Sequence, residues 1–117
     1  MKITVLVENT SAHGLPTEHG LSLWIEISGH KILFDLGQGS LFAENAAALG
    51  ININEAELAV ISHGHYDHGG GIAKFLSINS FALVYLHRKA FAAYYSDKEG
   101  SPRYIGLDAA QSDRIIY

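Results

Sequence analysis

Cysteine is absent from the 117-residue chain. That excludes disulfides, thiolate metal ligands and a cysteine nucleophile, and it is compatible with a reducing compartment. Lysine and arginine number 8 against 12 acidic residues, giving a net charge of −4, and no basic cluster occurs. A surface that tracks a nucleic-acid backbone is therefore not supported. No apolar run approaches the roughly 20 residues of a membrane span. The opening MKITVLVENT has one lysine and a short apolar run closed by Glu8, without the longer apolar segment and small-residue cleavage site of a signal peptide. These absences lead us to expect a cytoplasmic protein that binds neither nucleic acid nor membrane. Phosphate-loop and dinucleotide fingerprints are missing too, because the glycines at 69–71 lack the spacing and the partner lysine.

What is present is apolar material for a core, 48% of residues, with 17% charged. The length fits a single domain over 1–117. Lys2 to Val7 are rich in Ile and Val and read as a strand. A polar, glycine-containing loop follows to Gly20. Leu21 to Ile27 alternate, with Leu21, Leu23, Ile25 and Ile27 on one face, so Trp24 is expected among the partly exposed positions. Ser28-Gly29-His30 reads as a hairpin turn and Lys31 to Asp35 as the returning strand. Ser40 and Gly50 bracket a helix over Leu41 to Leu49. Leu58 to Ile61 is a short continuous apolar run, as in a buried strand. A helix near Gly69 to Leu76, a strand over Phe81 to Leu86, a helix over Arg88 to Tyr95 and a short strand at Ile115 to Tyr117 complete the pattern. An early hairpin followed by strand–helix alternation implies an α+β fold: a mixed sheet with helices on one face.

The chemistry concentrates in ISHGHYDHGGG, residues 61–71. His63, His65, Asp67 and His68 place four ligand-type side chains in six positions, directly after a buried strand. Imidazole and carboxylate together suit zinc, manganese or iron. In an extended backbone His63 and His65 point the same way and can grip one ion. Asp67 and His68, one turn on, can reach a second, and two ions about 3.5–4 Å apart can share a hydroxide. The glycines leave room around the ligands and permit a sharp turn.

This stretch resembles the His-x-His-x-Asp-His signature of the metallo-β-lactamase superfamily, with Ser62 where many members carry threonine. The resemblance extends to KILFDLGQ at 31–38, which looks like the family's strand ending in Asp-x-Gly, and to ITVLVENT and EHGLSLWIE at 3–10 and 18–26. These segments are most similar to the branch containing the ribofuranosylaminobenzene phosphate synthase-like proteins of methanopterin biosynthesis. The resemblance implies a metal-dependent hydrolase of esters, phosphoesters or thioesters. It implies a two-ion site, zinc in the family with manganese or iron as alternatives, in which His63 and His65 bind the first ion. Asp67 and His68 bind the second, and Asp67 also acts in catalysis. Asp35 matches a carboxylate that fixes a ligand histidine, a role imidazole ligands commonly need; as a residue type it equally suits a strand-ending turn.

The family fold is an αββα sandwich whose later motifs supply a third histidine, a bridging carboxylate and a last histidine. The resemblance covers the first half of that pattern. His87 follows a strand but not in the family's setting, and Asp108 and Asp113 are carboxylate candidates by default alone. The resemblance therefore implies half of a sandwich with an apolar sheet face to cover, and a homodimer or a complementing second half as partner. The small-molecule substrate would be phosphate-bearing if the branch is followed, with Arg88 and Arg103 as contacts. A truncated, non-catalytic half-domain that binds metal or dimerises is the alternative. His13, His19, Glu8 and Asn9 read as loop or turn residues that could also line a substrate mouth. Phe91, Tyr94 and Tyr95 read as one helical face packed on the sheet.

Overall fold

The computed structural model describes residues 1–11, 13–108 and 112–117. Strand β1 (Lys2–Val7) pairs antiparallel with β2 (Ser22–Ile27), which pairs antiparallel with β3 (His30–Phe34). The β2–β3 turn is Ser28-Gly29, with φ of 50° and 80°. Two left-handed residues in a two-residue loop match the twist of the strands they join.

After β3 the pairing becomes parallel. β4 (Leu58–Val60), β5 (Leu83–Tyr85) and β8 (Ile115–Ile116) extend the sheet in the order β1-β2-β3-β4-β5-β8. Helix α1 (Leu41–Ala48) carries the chain from β3 to β4, and α3 (Ile72–Ile78) carries it from β4 to β5. Both crossovers step in the same direction, and right-handed crossovers stepping one way put their helices on one face. Helix α1 closes with Gly50 at φ 72°. The Gly50 N–H reaches the Ala47 carbonyl and the Ile51 N–H the Ala46 carbonyl, the paired bonds of a glycine-terminated helix.

The helices Phe42, Ala46 and Phe75 bury with Leu6, Trp24, Leu33, Ala59 and Val84 of the sheet. Trp24, expected to be partly exposed, is 2% exposed. The apolar alternation Leu23-Ile25-Ile27 occupies the opposite face, paired through Ile3, Val5, Ile32 and Phe34, and none of these residues is buried. The alternation is real; the helix-covered face is the one carrying Ser22 and Trp24. β2 thus turns Ser22, Trp24 and Glu26 to the covered side and its apolar row to the open side, as suits a sheet that is to be covered on two sides. A register shift between Val5 and Val7 turns both Leu6 and Val7 inward.

The expected helix over 88–95 is not formed. Residues 88–91 make turns, and Tyr95–Ser96 form β6, paired with β7 (Arg103–Tyr104) in a separate antiparallel ribbon. An isolated two-turn helix is marginal in water, and here other groups claim the segment. The His87 ring accepts the Lys89 N–H, and the Tyr94 carbonyl accepts the Ile105 N–H. The aromatic trio is dispersed accordingly. Phe91 lies edge-on to Tyr117, Tyr94 to His65 and Tyr95 to Tyr104. The helix expected near 69–76 is two pieces, α2 (Tyr66–Gly69) and α3, joined at Gly70-Gly71. No helix among the described residues is long and apolar enough to cross a membrane.

Candidate metal centre

The site lies beyond the carboxyl ends of β3 and β4, where open parallel sheets place their ligands. Asp35 ends β3 with φ 58° and is fully buried. A left-handed aspartate is tolerated in turns, and a buried one signals a conformation held by its surroundings. Its carboxylate is the hub of the site. Oδ1 accepts the Ser62 N–H at 2.7 Å. Oδ2 accepts the Ser62 hydroxyl at 2.7 Å and faces His68 Nδ1 at 2.7 Å.

These bonds fix where the protons sit. A carboxylate only accepts, so His68 Nδ1 must donate, and His68 Nε2 is left with a free lone pair. The Ser62 hydrogen is used on Asp35. His63 Nδ1, 2.8 Å from Ser62 Oγ, must therefore donate as well, which frees His63 Nε2. One buried carboxylate thus prepares two imidazoles as ligands, one directly and one through a hydroxyl. Asp35 thus sits in the turn that follows β3 and hydrogen-bonds the His68 ring.

The ligand atoms of His63, Asp67 and His68 lie within 4.8 Å of one another. Two imidazole lone pairs and a carboxylate are a donor set for a divalent cation, so the residues present fit a metal. His65 stands beside this group, its ring centroid 4.6 Å from that of His63, and is not a member of it. A bend at His63-Gly64 breaks the extended backbone that would point His63 and His65 together. Partial burial holds the His63 imidazole below the ordinary histidine value, and His68 and His65 beside it act in the same direction.

The glycines work mainly through close approach. A Cβ on Gly64 would stand 2.0 Å from the Ala90 carbonyl oxygen, and one on Gly70 2.2 Å from that of Gln38. The loop and α2 are therefore pressed backbone to backbone against the 36–39 turn and the 88–91 turn. The N–H of Tyr66, which opens α2, donates to the Ile105 carbonyl.

A cleft of about 350 Å³ adjoins the group, lined by His19, His65, Tyr66, Asp67, Lys98 and Arg103 among others. Arg103 sits over the Tyr66 ring at 5.5 Å. Among the remaining candidates His19 lies against Asp67, with Nε2 3.0 Å from Oδ2. His13, His87, Arg88, Asp108 and Asp113 are exposed and outside the ligand group, and Glu8 is exposed at the end of β1. The loop reading of His19 missed its contact with Asp67. The available signal was the glycine directly after it, which marks a close approach. Tyr94 and Lys98 were hidden by the expected helix and by an uninformative hairpin.

Residues 15–116 match the metallo-beta-lactamase superfamily. The chain belongs to that superfamily. A crystal structure of a metal-dependent hydrolase of the beta-lactamase superfamily is similar at 35% identity and a TM-score of 0.69, over 91% of this chain and 36% of that one. The metallo-beta-lactamase Rm3 is similar at 28% identity and a TM-score of 0.57, over 68% and 31%. An uncharacterised protein of Methanocaldococcus jannaschii is 38% identical over 97% of this chain and 43% of its own length. The 7,8-dihydropterin-6-methyl-4-(beta-D-ribofuranosyl)-aminobenzene-5'-phosphate synthase of the same organism is 30% identical over 82% and 35%. The chain thus spans well under half the length of these superfamily relatives, and its sheet with helices on one face is a metallo-beta-lactamase half-domain.

Proposed function

We propose that this chain is the N-terminal, metal-ligating half of one metallo-beta-lactamase domain, and that the domain hydrolyses a phosphate-bearing small molecule. The observation that carries the reading is the convergence of His63, Asp67 and His68 within 4.8 Å at the edge of a cleft. A bound divalent ion, zinc by preference and manganese or iron as alternatives, would supply a Lewis acid and an activated water in that setting. His63 and His68 would hold the first such ion with Asp67, and His65 stands close enough to help complete a two-ion site. Asp67 would also hold or accept a proton beside the reacting atoms.

Lys98 and Arg103, with Glu99 beside them in the cleft wall, offer cationic contacts to an anionic group on the substrate, and the product named for the synthase relative carries a 5′-phosphate. The reading places the protein in the cytoplasm.

The uncovered sheet face supports a partner, either a second copy or a complementing half. A second reading, a non-catalytic half-domain that binds metal or dimerises, is favoured by the share of the relatives' length that the chain spans. Metal analysis of the purified chain with its oligomeric state separates the two. About two ions per chain, with hydrolysis of a generic phosphodiester or thioester, favours the enzyme. A metal-free dimer that stays inert with added zinc or manganese sinks it.

A further inference from the structure

His19 is held more firmly than an exposed loop histidine needs to be. The Gly20 N–H donates to Asn9 Oδ1 at 3.0 Å, which settles the orientation of the Asn9 amide. Asn9 Nδ2 then faces His19 Nδ1 at 3.0 Å, and since an amide nitrogen only donates, Nδ1 accepts. A neutral imidazole carries one proton, so that proton is on Nε2, the atom 3.0 Å from Asp67 Oδ2. The backbone of the same residue is tied down independently: Gln38 Nε2 donates to the His19 carbonyl at 2.7 Å. The Leu21 N–H donates to the Asp67 carbonyl, and a Cβ on Gly20 would stand 2.3 Å from that carbonyl oxygen. Fixing an exposed ring costs side-chain entropy, and five directional bonds, to Asn9, Gln38 and Asp67, converge on this segment.

We infer that His19 is a positioning residue for Asp67, locked by Asn9 as the Nε2–H tautomer so that it is a donor and never a ligand. It fills one side of a carboxylate that is 8% exposed and needs a donor partner there. In part this rests on the metal-site reading, since the purpose of fixing Asp67 is to present it to an ion. It assigns a function to Asn9, His19 and Gly20 that the ligand signature at 63–68 does not contain.

The test uses the full chain, labelled with ¹⁵N, at a pH where histidine is neutral. Long-range nitrogen–proton correlation spectra of the metal-free protein should show His19 as Nε2–H. Zinc titrations then compare wild type, His19→Phe and His19→Gln; the glutamine amide can put its own donor where Nε2 stood. The expected result is a loss of about tenfold or more in zinc affinity for His19→Phe, the usual cost of removing an outer partner, with recovery to within about threefold in His19→Gln. Matched circular dichroism of the metal-free proteins removes misfolding as an explanation. An Nδ1–H tautomer, wild-type affinity in His19→Phe, or equal weakness in the two variants overturns the inference. A wild-type chain that takes up no zinc would sink the metal-site reading instead, and the tautomer would then decide this one alone.

Discussion

Replacing Asp35 by Asn changes one oxygen to an amide and should disarm two ligands without changing the shape of the site. Asparagine tolerates the left-handed backbone as well as aspartate does, so φ 58° is no obstacle. The Ser62 N–H still needs an acceptor, which keeps the amide oxygen in the Oδ1 position and puts the NH₂ where Oδ2 was. That group now donates to Ser62 Oγ and to His68 Nδ1, reversing both bonds. His68 moves its proton to Nε2, and Ser62 turns its own hydrogen toward His63 Nδ1. The number of hydrogen bonds is unchanged, so the metal-free melting temperature should stay within about 5 °C of wild type, the shift expected for roughly 1 kcal/mol in a small domain. Metal binding would require a donor–donor clash at His68 and an unpaired hydroxyl at Ser62, each about 1–3 kcal/mol. The His68 side chain keeps 21% of its surface exposed, so water relieves part of its share. The lower end, about 2 kcal/mol, corresponds to roughly thirtyfold in affinity. Competition with a chromophoric chelator measures it for zinc. A D35N chain that binds zinc within about threefold of wild type while keeping its fold would refute the proton assignments.

His65→Ala should lower metal affinity while leaving circular dichroism unchanged, because the residue lies in a loop outside the core; loss of secondary structure would contradict this. Trp24→Ala should cost about 3–5 kcal/mol in urea unfolding, as a large core truncation, whereas a tryptophan on an open face would cost far less. Ser22→Ala should be neutral or stabilising, since Ser22 Oγ is buried and is the side-chain atom without a hydrogen-bond partner among the described residues. His63 has its folded-state value below the ordinary 6.5, so the unfolded chain binds more protons between the two values. Metal-free stability should therefore fall as pH drops through the ordinary histidine range, and His63→Gln should flatten that fall in urea midpoints.

The frame of the fold was legible because it rests on local signals. Alternation, a left-handed turn at Ser28-Gly29 and a glycine-closed helix are written in neighbouring residues. The covered face of β2 was not, because the apolar row Leu23-Ile25-Ile27 is the open one and Trp24 alone, between Ser22 and Glu26, marks the side that meets the helices. The 88–95 segment misled for a related reason: its helical pattern is genuine, and a local bond to the His87 ring and a distant one to Ile105 override it. At the site the spacing of His63, His65, Asp67 and His68 announced a metal. It did not announce that His63, Asp67 and His68 would converge with His65 alongside. Nor did it reveal the approach of His19, since loop docking depends on Gly20 and Asn9 rather than on a repeat or period.

The four candidate ligands fall within six consecutive positions, yet the backbone that shapes them is secured from far downstream. Tyr66 is anchored by Ile105, Gly64 is met by Ala90, and Gly69 packs under Leu107. On a ribosome, a nascent chain that has exposed the whole ligand run still lacks these three anchors. Native geometry at the centre therefore waits for residue 107, and a metal captured earlier would be held by a floppy peptide with ordinary peptide affinity. A centre that looks local in the sequence is completed by backbone that arrives only with Ala90, Ile105 and Leu107.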